Sequence, residues 1–288
     1  MLGDWLSNPA LRLGLPMTAA LTTACAVLSV LVVSRRWAFI GEGISHSGFG
    51  GAGTAWVLAL AVPALDRAWM PYACVIVFCL LTAIAIGFLS YRDRVNSDAA
   101  IGIFMVASLA WGFMARQIYL FHRHGREPAG FDTFLFGQMN AVSPRFAVAT
   151  VMLSVAVVLI VWALGKEIVY YCFDPVMAEA SGVRTTMVHY LLMVLTALLI
   201  VLGTPVVGTV LVTALLVLPG ATGLIISQRL RTVLAAAIGV AVIGATVGVM
   251  LNLRWRFVPV GPAIVLGMFV EFLVCYVVSQ WKSAGVSS

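Results

Sequence analysis

Charged residues are scarce in this 288-residue chain, and their scarcity excludes an ordinary soluble domain. Asp, Glu, Lys and Arg make up 10% of the residues, whereas soluble domains carry about 25%. Hydrophobic residues make up 62%, and the mean hydropathy is +1.07. Because so little polar surface cannot cover a soluble globule, we expect a protein that crosses a membrane several times.

Motifs for nucleotide hydrolysis are also absent. The only Gly-Lys pair, Gly165–Lys166, is followed by Glu167 and lacks the upstream glycine of a phosphate-binding loop. The sequence contains neither His-Glu-x-x-His nor Gly-x-Ser-x-Gly, and it has no carboxylate pair inside an apolar run. We therefore expect no catalytic residues, and an intramembrane enzyme is disfavoured.

Neither the cysteines nor the net charge indicates a disulfide-bonded, zinc-binding or nucleic-acid-binding protein. The five cysteines are scattered and show no Cys-x-x-Cys spacing, so neither a disulfide framework nor a zinc knuckle is indicated. The formal charge of +6 is modest, and it reflects Lys and Arg that flank apolar runs. We expect contact with membrane lipids and none with nucleic acid.

Long apolar runs are what the sequence does contain. They lack the alternation of barrel strands, and lipid offers the backbone no hydrogen-bond partners, so the runs are expected to be helices. We predict an all-α, polytopic membrane bundle with about nine transmembrane helices (eight to ten). The expected spans cover about 13–33, 39–62, 70–90, 99–120, 146–164, 187–202, 206–226, 233–251 and 261–278.

A short amphipathic segment interrupts this pattern at about 174–182. Asp174 suits an N-cap, Pro175 the first helical position and Gly182 the C-cap. These residues predict a helix of about two turns outside the membrane. The slight excess of basic residues in the loops on its side places it in the cytoplasm.

Glu42 and His46 form the strongest candidate site. Their spacing puts a carboxylate and an imidazole on one face of a helix, which suits half of a site for a divalent transition metal. A buried hydrogen-bonded pair or a solvated helix end remains the alternative. Small residues surround the pair, and Ser45, Gly48 and Gly51 are expected to let neighbouring helices approach closely around a pathway.

Other ionisable residues are weaker candidates. Glu271 falls in the middle of the last span, where a hydrogen bond inside the bundle and an ion site are both open. His122 and His124 lie in a polar loop, where they either pass metal along or are simply solvated. His189, near a helix start, favours a structural or interfacial role.

Three motifs resemble the membrane-spanning permease of the zinc/manganese/iron family of ATP-binding-cassette importers. Gly41–Ser47 is similar to that family's Gly-Asp-x-x-Ser-His motif, with Glu42 where Asp is usual. Leu135–Ser143 is similar to its Leu-Phe-Gly loop. Phe173–Pro175, with Ala178 and Gly182, is similar to its Phe-Asp-Pro-x-x-Ala-x-x-x-Gly segment.

The resemblance implies a transport subunit, with one transmembrane permease domain over residues 1–288, in the plasma (inner) membrane of a prokaryote. It implies that Glu42 and His46 are ligands of the transported zinc, manganese or iron, with no permanently bound cofactor. The implied partners are a cytoplasmic ATP-binding subunit that hydrolyses ATP, an extracytoplasmic metal-binding protein and a second permease chain, identical or paralogous. The 174–182 segment would be the coupling helix for the ATPase, through Phe173, Asp174, Pro175, Ala178 and Gly182.

The residues themselves leave another function open. A stand-alone secondary transporter or channel would use Glu42, His46 and Glu271 as an ion path. The two functions differ in whether transport requires an ATPase.

Overall fold

The computed structural model describes residues 9–62, 69–91, 95–125, 144–255 and 258–286. These residues form twelve helices, with no strand among them. The helices are α1 (Pro9–Ser34), α2 (Ile40–Ala61), α3 (Met70–Tyr91), α4 (Ser97–His122), α5 (Pro144–Ala163), α6 (Gly165–Phe173), α7 (Pro175–Ala180), α8 (Thr185–Val207), α9 (Thr209–Leu215), α10 (Leu218–Ile226), α11 (Leu230–Arg254) and α12 (Val260–Val286). The predicted motif at Leu135–Ser143 lies outside the described residues.

Eight segments of the described chain are long and apolar enough to cross a membrane. They are α1 from Pro16 onward, α3, α4, α5, α8, the combined α9–α10, α11 and α12. Helix α2 has 22 residues, which is also enough for a membrane span, but Glu42, His46 and its many glycines and serines lower its hydropathy. The expected nine spans therefore correspond to these eight segments and α2.

Helices α1, α2 and α8 form the centre of the bundle. About two thirds of the apolar window of α1 and 61% of that of α8 are buried, against 22% for α5 and 17% for α12. The outer helices therefore present apolar side chains outward, as expected for helices that face lipid. Their exposed apolar faces confirm a multi-pass membrane protein.

The predicted span at 206–226 is confirmed over Thr209–Ile226, but it consists of two short helices. Helix α8 continues through Pro205, and the chain turns at Gly208, whose φ is +84°. Helix α9 then ends at Leu215, and Pro219 lies in the first turn of α10. The Gly220 N–H donates a hydrogen bond to Ser29 Oγ, which fixes α10 against α1.

Close approach of backbones holds α2 against α3. A Cβ atom on Gly51 would lie 2.7 Å from the Val75 Cα and 3.0 Å from the Cys74 carbonyl oxygen. Both distances are shorter than a normal carbon contact, so only glycine fits between these helices. The close packing keeps α2 buried along most of its length.

Helices α6 and α7 lie between α5 and α8, where the sequence predicts only one helix. The Asp174 carboxylate accepts a hydrogen bond from the Met177 N–H at 2.9 Å, and Pro175 opens α7. After α7, Gly182 has a φ of +86°, and the Val183 N–H donates to the Ala178 carbonyl at 3.0 Å. The predicted N-cap, Asp174, is confirmed, whereas the C-cap is Ser181 and Gly182 follows it in the left-handed region.

Candidate functional site

Glu42 and His46 lie on the first two turns of α2 and contact each other. His46 Nε2 is 2.7 Å from Glu42 Oε1, the distance of a charge-assisted hydrogen bond. The Ser45 hydroxyl donates to the Glu42 carbonyl oxygen at 3.0 Å. The helix therefore brings one oxygen and one nitrogen ligand to the same point, as the spacing predicts.

The pair is accessible, although the helix around it is buried. The side chains of Glu42 and His46 are 44% and 26% exposed, whereas Gly43, Ile44 and Ser47 are buried. An ionisable pair in the least apolar long helix of the bundle, open on one side, faces either a cavity or another chain. Both surroundings are typical of functional ionisable residues in membrane proteins.

The broken span packs beside the pair. The Thr213 Cα on α9 is 3.5 Å from the position that a Cβ on Gly41 would occupy. The Thr213 side chain lies beside the Glu42 carboxylate, and its hydroxyl donates to the Val210 carbonyl at 3.0 Å. Ion sites in transporters often lie beside such discontinuous helices, because the break leaves backbone groups available.

The described residues place no third metal-ligating side chain beside Glu42 and His46. Within the described ranges, no group of three or more His, Cys, Asp or Glu side chains is placed to hold an ion. Cys79 Sγ does not join the pair, because it lies 3.5 Å from Ser47 Oγ and 3.5 Å from the Ile44 carbonyl oxygen. Glu42 and His46 therefore offer one hard oxygen and one imidazole, without a thiolate.

The structure does not bring the other predicted residues to this site. His122 ends α4, and its Nδ1 is 2.9 Å from the Ile118 carbonyl oxygen. Because Gly43 packs on Ile101 near the start of α4, His122 is about 31 Å further along that helix. His124 follows it in the same exposed turn.

Glu271 lies on α12, which packs chiefly against α11. Its Oε2 atom is buried, with no hydrogen-bond partner among the residues that the structure describes. It takes part in no cluster of ligands with Glu42 and His46. The surroundings of Glu271 therefore support neither of the two predicted roles, a hydrogen bond inside the bundle or an ion site.

The short helix α7 and the last residue of α6 present an apolar surface. Phe173, Val176 and Met177 are 65%, 76% and 53% exposed, whereas Ala178 is fully buried. Ala178 therefore anchors the helix on the bundle, and the other three side chains point outward. Exposed apolar side chains next to a capped helix outside the membrane are typical of a docking surface.

A buried cluster beside α7 was missed by the sequence analysis. Hydrogen bonds join Arg35, just after α1, to Tyr171 on α6, and Tyr171 to His189 on α8. In the sequence, only the position of His189 one turn inside a span pointed to this cluster, and it did not indicate Arg35 or Tyr171 as partners.

The fold defines a multi-pass membrane protein, and its sequence relatives are permeases of the transport class. The chain belongs to the ABC 3 transport family, whose sequence profile matches residues 8–279. This confirms the family resemblance drawn from the three motifs.

Individual relatives agree with the family over most of their lengths. The manganese transport system membrane protein MntC of Halalkalibacterium halodurans is 32% identical, covering 90% of this chain and 85% of that protein. A probable iron transport system membrane protein of Haemophilus influenzae is 28% identical, covering 96% and 98%. The solved structure of PsaBC from Streptococcus pneumoniae in complex with Fab matches with a TM-score of 0.76 and 25% identity, covering 96% of this chain and 95% of that one.

Proposed function

We propose that this chain is the permease subunit of an ATP-driven importer of manganese(II) or iron(II) in the plasma membrane of a prokaryote. The observation that carries the proposal is the 2.7 Å Glu42–His46 pair, half-exposed on an otherwise buried helix. Relatives that are named for manganese or iron transport support the class of cargo.

The ligand types favour manganese or iron over a softer metal. A carboxylate and an imidazole suit these ions, and thiolate ligands, which select zinc or copper(I), are missing from the site. Two bonds of about 2.1 Å at 90° place cis ligands about 3.0 Å apart, and a tetrahedral angle places them about 3.4 Å apart. The observed 2.7 Å between His46 Nε2 and Glu42 Oε1 is therefore closer to the separation in octahedral coordination than to that in tetrahedral coordination.

The direct contact between the two ligands keeps the site weak. Without metal, His46 and Glu42 satisfy each other, so an incoming ion replaces their hydrogen bond and displaces its proton. This competition lowers affinity, and a transport site must release its ion as well as bind it. Glu42 and His46 thus serve as transient ligands in a pathway.

The remaining ligands come from a second permease chain in this proposal. Two copies of the pair around a shared axis provide four protein ligands, which matches the open side of the site. The exposed apolar surface at the α6–α7 junction, made by Phe173, Val176 and Met177, docks on the cytoplasmic ATP-binding subunit. A separate extracytoplasmic metal-binding protein delivers the ion.

The test is uptake of radioactive manganese(II) by liposomes that contain the permease, its ATPase and the binding protein. We expect His46→Ala to abolish ATP-dependent uptake, because one of two ligands per chain is lost, while the complex still assembles. Thr246→Ala is the matched control, since that hydroxyl bonds only within α11, to the Val242 carbonyl. Normal uptake by His46→Ala contradicts the ligand role.

The same liposomes separate this function from a stand-alone transporter. Permease without the ATPase is expected to move no metal. Metal uptake by the permease alone would contradict the proposal and favour a secondary transporter or channel.

A further inference from the structure

A directed chain of hydrogen bonds crosses the end of the bundle that carries α7. Arg35 Nη2 donates to the Tyr171 hydroxyl oxygen at 3.1 Å. The Tyr171 hydroxyl is 2.7 Å from His189 Nδ1, and His189 Nε2 is 3.0 Å from the Gly87 carbonyl oxygen. Each of these four residues comes from a different part of the chain.

The donors and acceptors fix the protonation of the cluster. The Gly87 carbonyl only accepts, so His189 Nε2 carries a hydrogen, and a neutral ring then accepts at Nδ1. The Tyr171 hydroxyl therefore donates to His189 while it accepts from Arg35. Burial raises the pKa of Tyr171 to about 12, which keeps this donor protonated.

Aromatic rings hold the cation in the same place. The Arg35 guanidinium lies 4.4 Å from the centre of the Tyr171 ring and 5.4 Å from that of Trp37. The Trp37 ring in turn contacts the His189 ring edge-on, with centroids 5.1 Å apart. Among the described residues, no ion pair involves Arg35, so stacking and the hydrogen bond to Tyr171 position it.

The turn between α1 and α2 is closed by its own backbone. The Trp37 N–H donates to the Val32 carbonyl and the Arg36 N–H to the Val33 carbonyl, both at 3.0 Å. Arg36 occupies the left-handed region, with a φ of +58°. This is a Schellman-type helix end, and it ties the orientation of α2 to that of α1.

The cluster lies between the two functional elements. On one side, Tyr171 is three residues from Asp174, the N-cap of α7, so α6 and α7 are almost continuous. On the other side, Arg35 is five residues from Ile40, where α2 begins, and Glu42 is on the first turn of α2. A displacement of α7 therefore reaches Tyr171 first and the start of α2 next.

We propose that Tyr171 is a positioning residue that couples movement of α7 to the Glu42–His46 pair, through Arg35 on one side and His189 on the other. The proposal rests on the proposed function, since it needs an ATPase that moves α7. In this proposal the hydrogen-bonded chain, and not helix packing alone, transmits that movement.

The test is the number of manganese(II) ions taken up per ATP hydrolysed by the complete complex in liposomes. Tyr171→Phe keeps the ring against Arg35 and removes only the hydroxyl. We expect ATP hydrolysis within about twofold of wild type and a fall of about tenfold in ions per ATP, as for the loss of a buried hydrogen-bonding group. Tyr190→Phe, which removes a hydroxyl beside His189 but outside the chain, is the matched control.

A pair of His189 variants provides a second measurement. His189→Gln presents one acceptor and one donor in place of the imidazole and is expected to keep ions per ATP within about threefold of wild type. His189→Leu, which offers neither group, is expected to resemble Tyr171→Phe.

Two results would overturn the coupling role. One is an unchanged ratio in Tyr171→Phe and His189→Leu. The other is a parallel loss of hydrolysis and uptake, which indicates only a structural role. If wild-type uptake itself does not depend on ATP, the proposed function fails instead, and the two failures are therefore distinguishable.

Discussion

The proposed docking role of α7 leads to a prediction whose size follows from the geometry of the helix. Asp174→Ala removes the carboxylate that accepts the Met177 N–H at 2.9 Å. Loss of such an N-cap costs about 1 kcal/mol. The helix has six residues, and Ala178 is its one buried residue, so little else in α7 compensates.

The expected effect on ATPase binding is a weakening of about fivefold. A change of about 1 kcal/mol shifts the ratio of ordered to frayed helix by that factor, because 1.4 kcal/mol corresponds to tenfold. Apparent affinity falls with the fraction of the docking element that is correctly folded. Fivefold is therefore the upper limit for a helix that is marginal before the ATPase binds.

Binding of the purified ATPase to permease in nanodiscs measures this effect by calorimetry. Asp174→Asn is the control, because asparagine caps about as well as aspartate, and it is expected to bind like wild type. Wild-type affinity in Asp174→Ala would refute the reasoning about the cap. An equal loss in both variants would show that the charge of Asp174, and not its cap, contacts the ATPase.

Two further substitutions test the packing and the chemistry of α2. Gly51→Ala is expected to destabilise the permease by about 1–3 kcal/mol, since the new Cβ lies 2.7 Å from the Val75 Cα. Thermal unfolding in detergent measures the loss of stability. The control is Gly102→Ala, where the new Cβ meets nothing within 4 Å. Equal stability of the two variants would contradict the close approach. Glu42→Asp is expected to retain manganese(II) uptake, because the charge remains. Glu42→Gln is expected to reduce uptake by more than the roughly 10- to 100-fold that is typical of losing an outer-sphere partner. Equal uptake by the two variants would exclude a ligand role.

Local rules predicted the parts of this molecule whose structure depends on nearby residues. Asp174, Pro175 and Gly182 specify α7 by capping, and those interactions span at most five residues. The Glu42–His46 contact follows in the same way from the helical repeat. Apolar runs likewise predicted eight of the expected spans, because they depend on the length and composition of a single segment.

Tertiary interactions decided what the sequence could not reveal. Pro219 marks the break between α9 and α10 in the sequence, but the contact that holds α10 against α1, Gly220 with Ser29, joins residues 191 positions apart. The Arg35–Tyr171–His189 cluster joins residues up to 136 positions apart in a single hydrogen bond. The metal-ligand role of Glu42 and His46 stays a prediction, since the geometry is compatible with it without testing it.

If Glu42 and His46 hold the metal, their 2.7 Å contact limits how large a movement transport requires. Glu42 Oε1 and His46 Nε2 would separate by about 0.3 Å for octahedral and about 0.7 Å for tetrahedral coordination. Because both residues lie on α2, four positions apart, a rigid shift of that helix leaves their separation unchanged, and rotation about side-chain bonds supplies it. A helix shift of about 1–2 Å, passed in our proposal from α7 through Tyr171 and Arg35 to the start of α2, would instead move the pair relative to its counterpart in the second chain, which opens or closes the shared site.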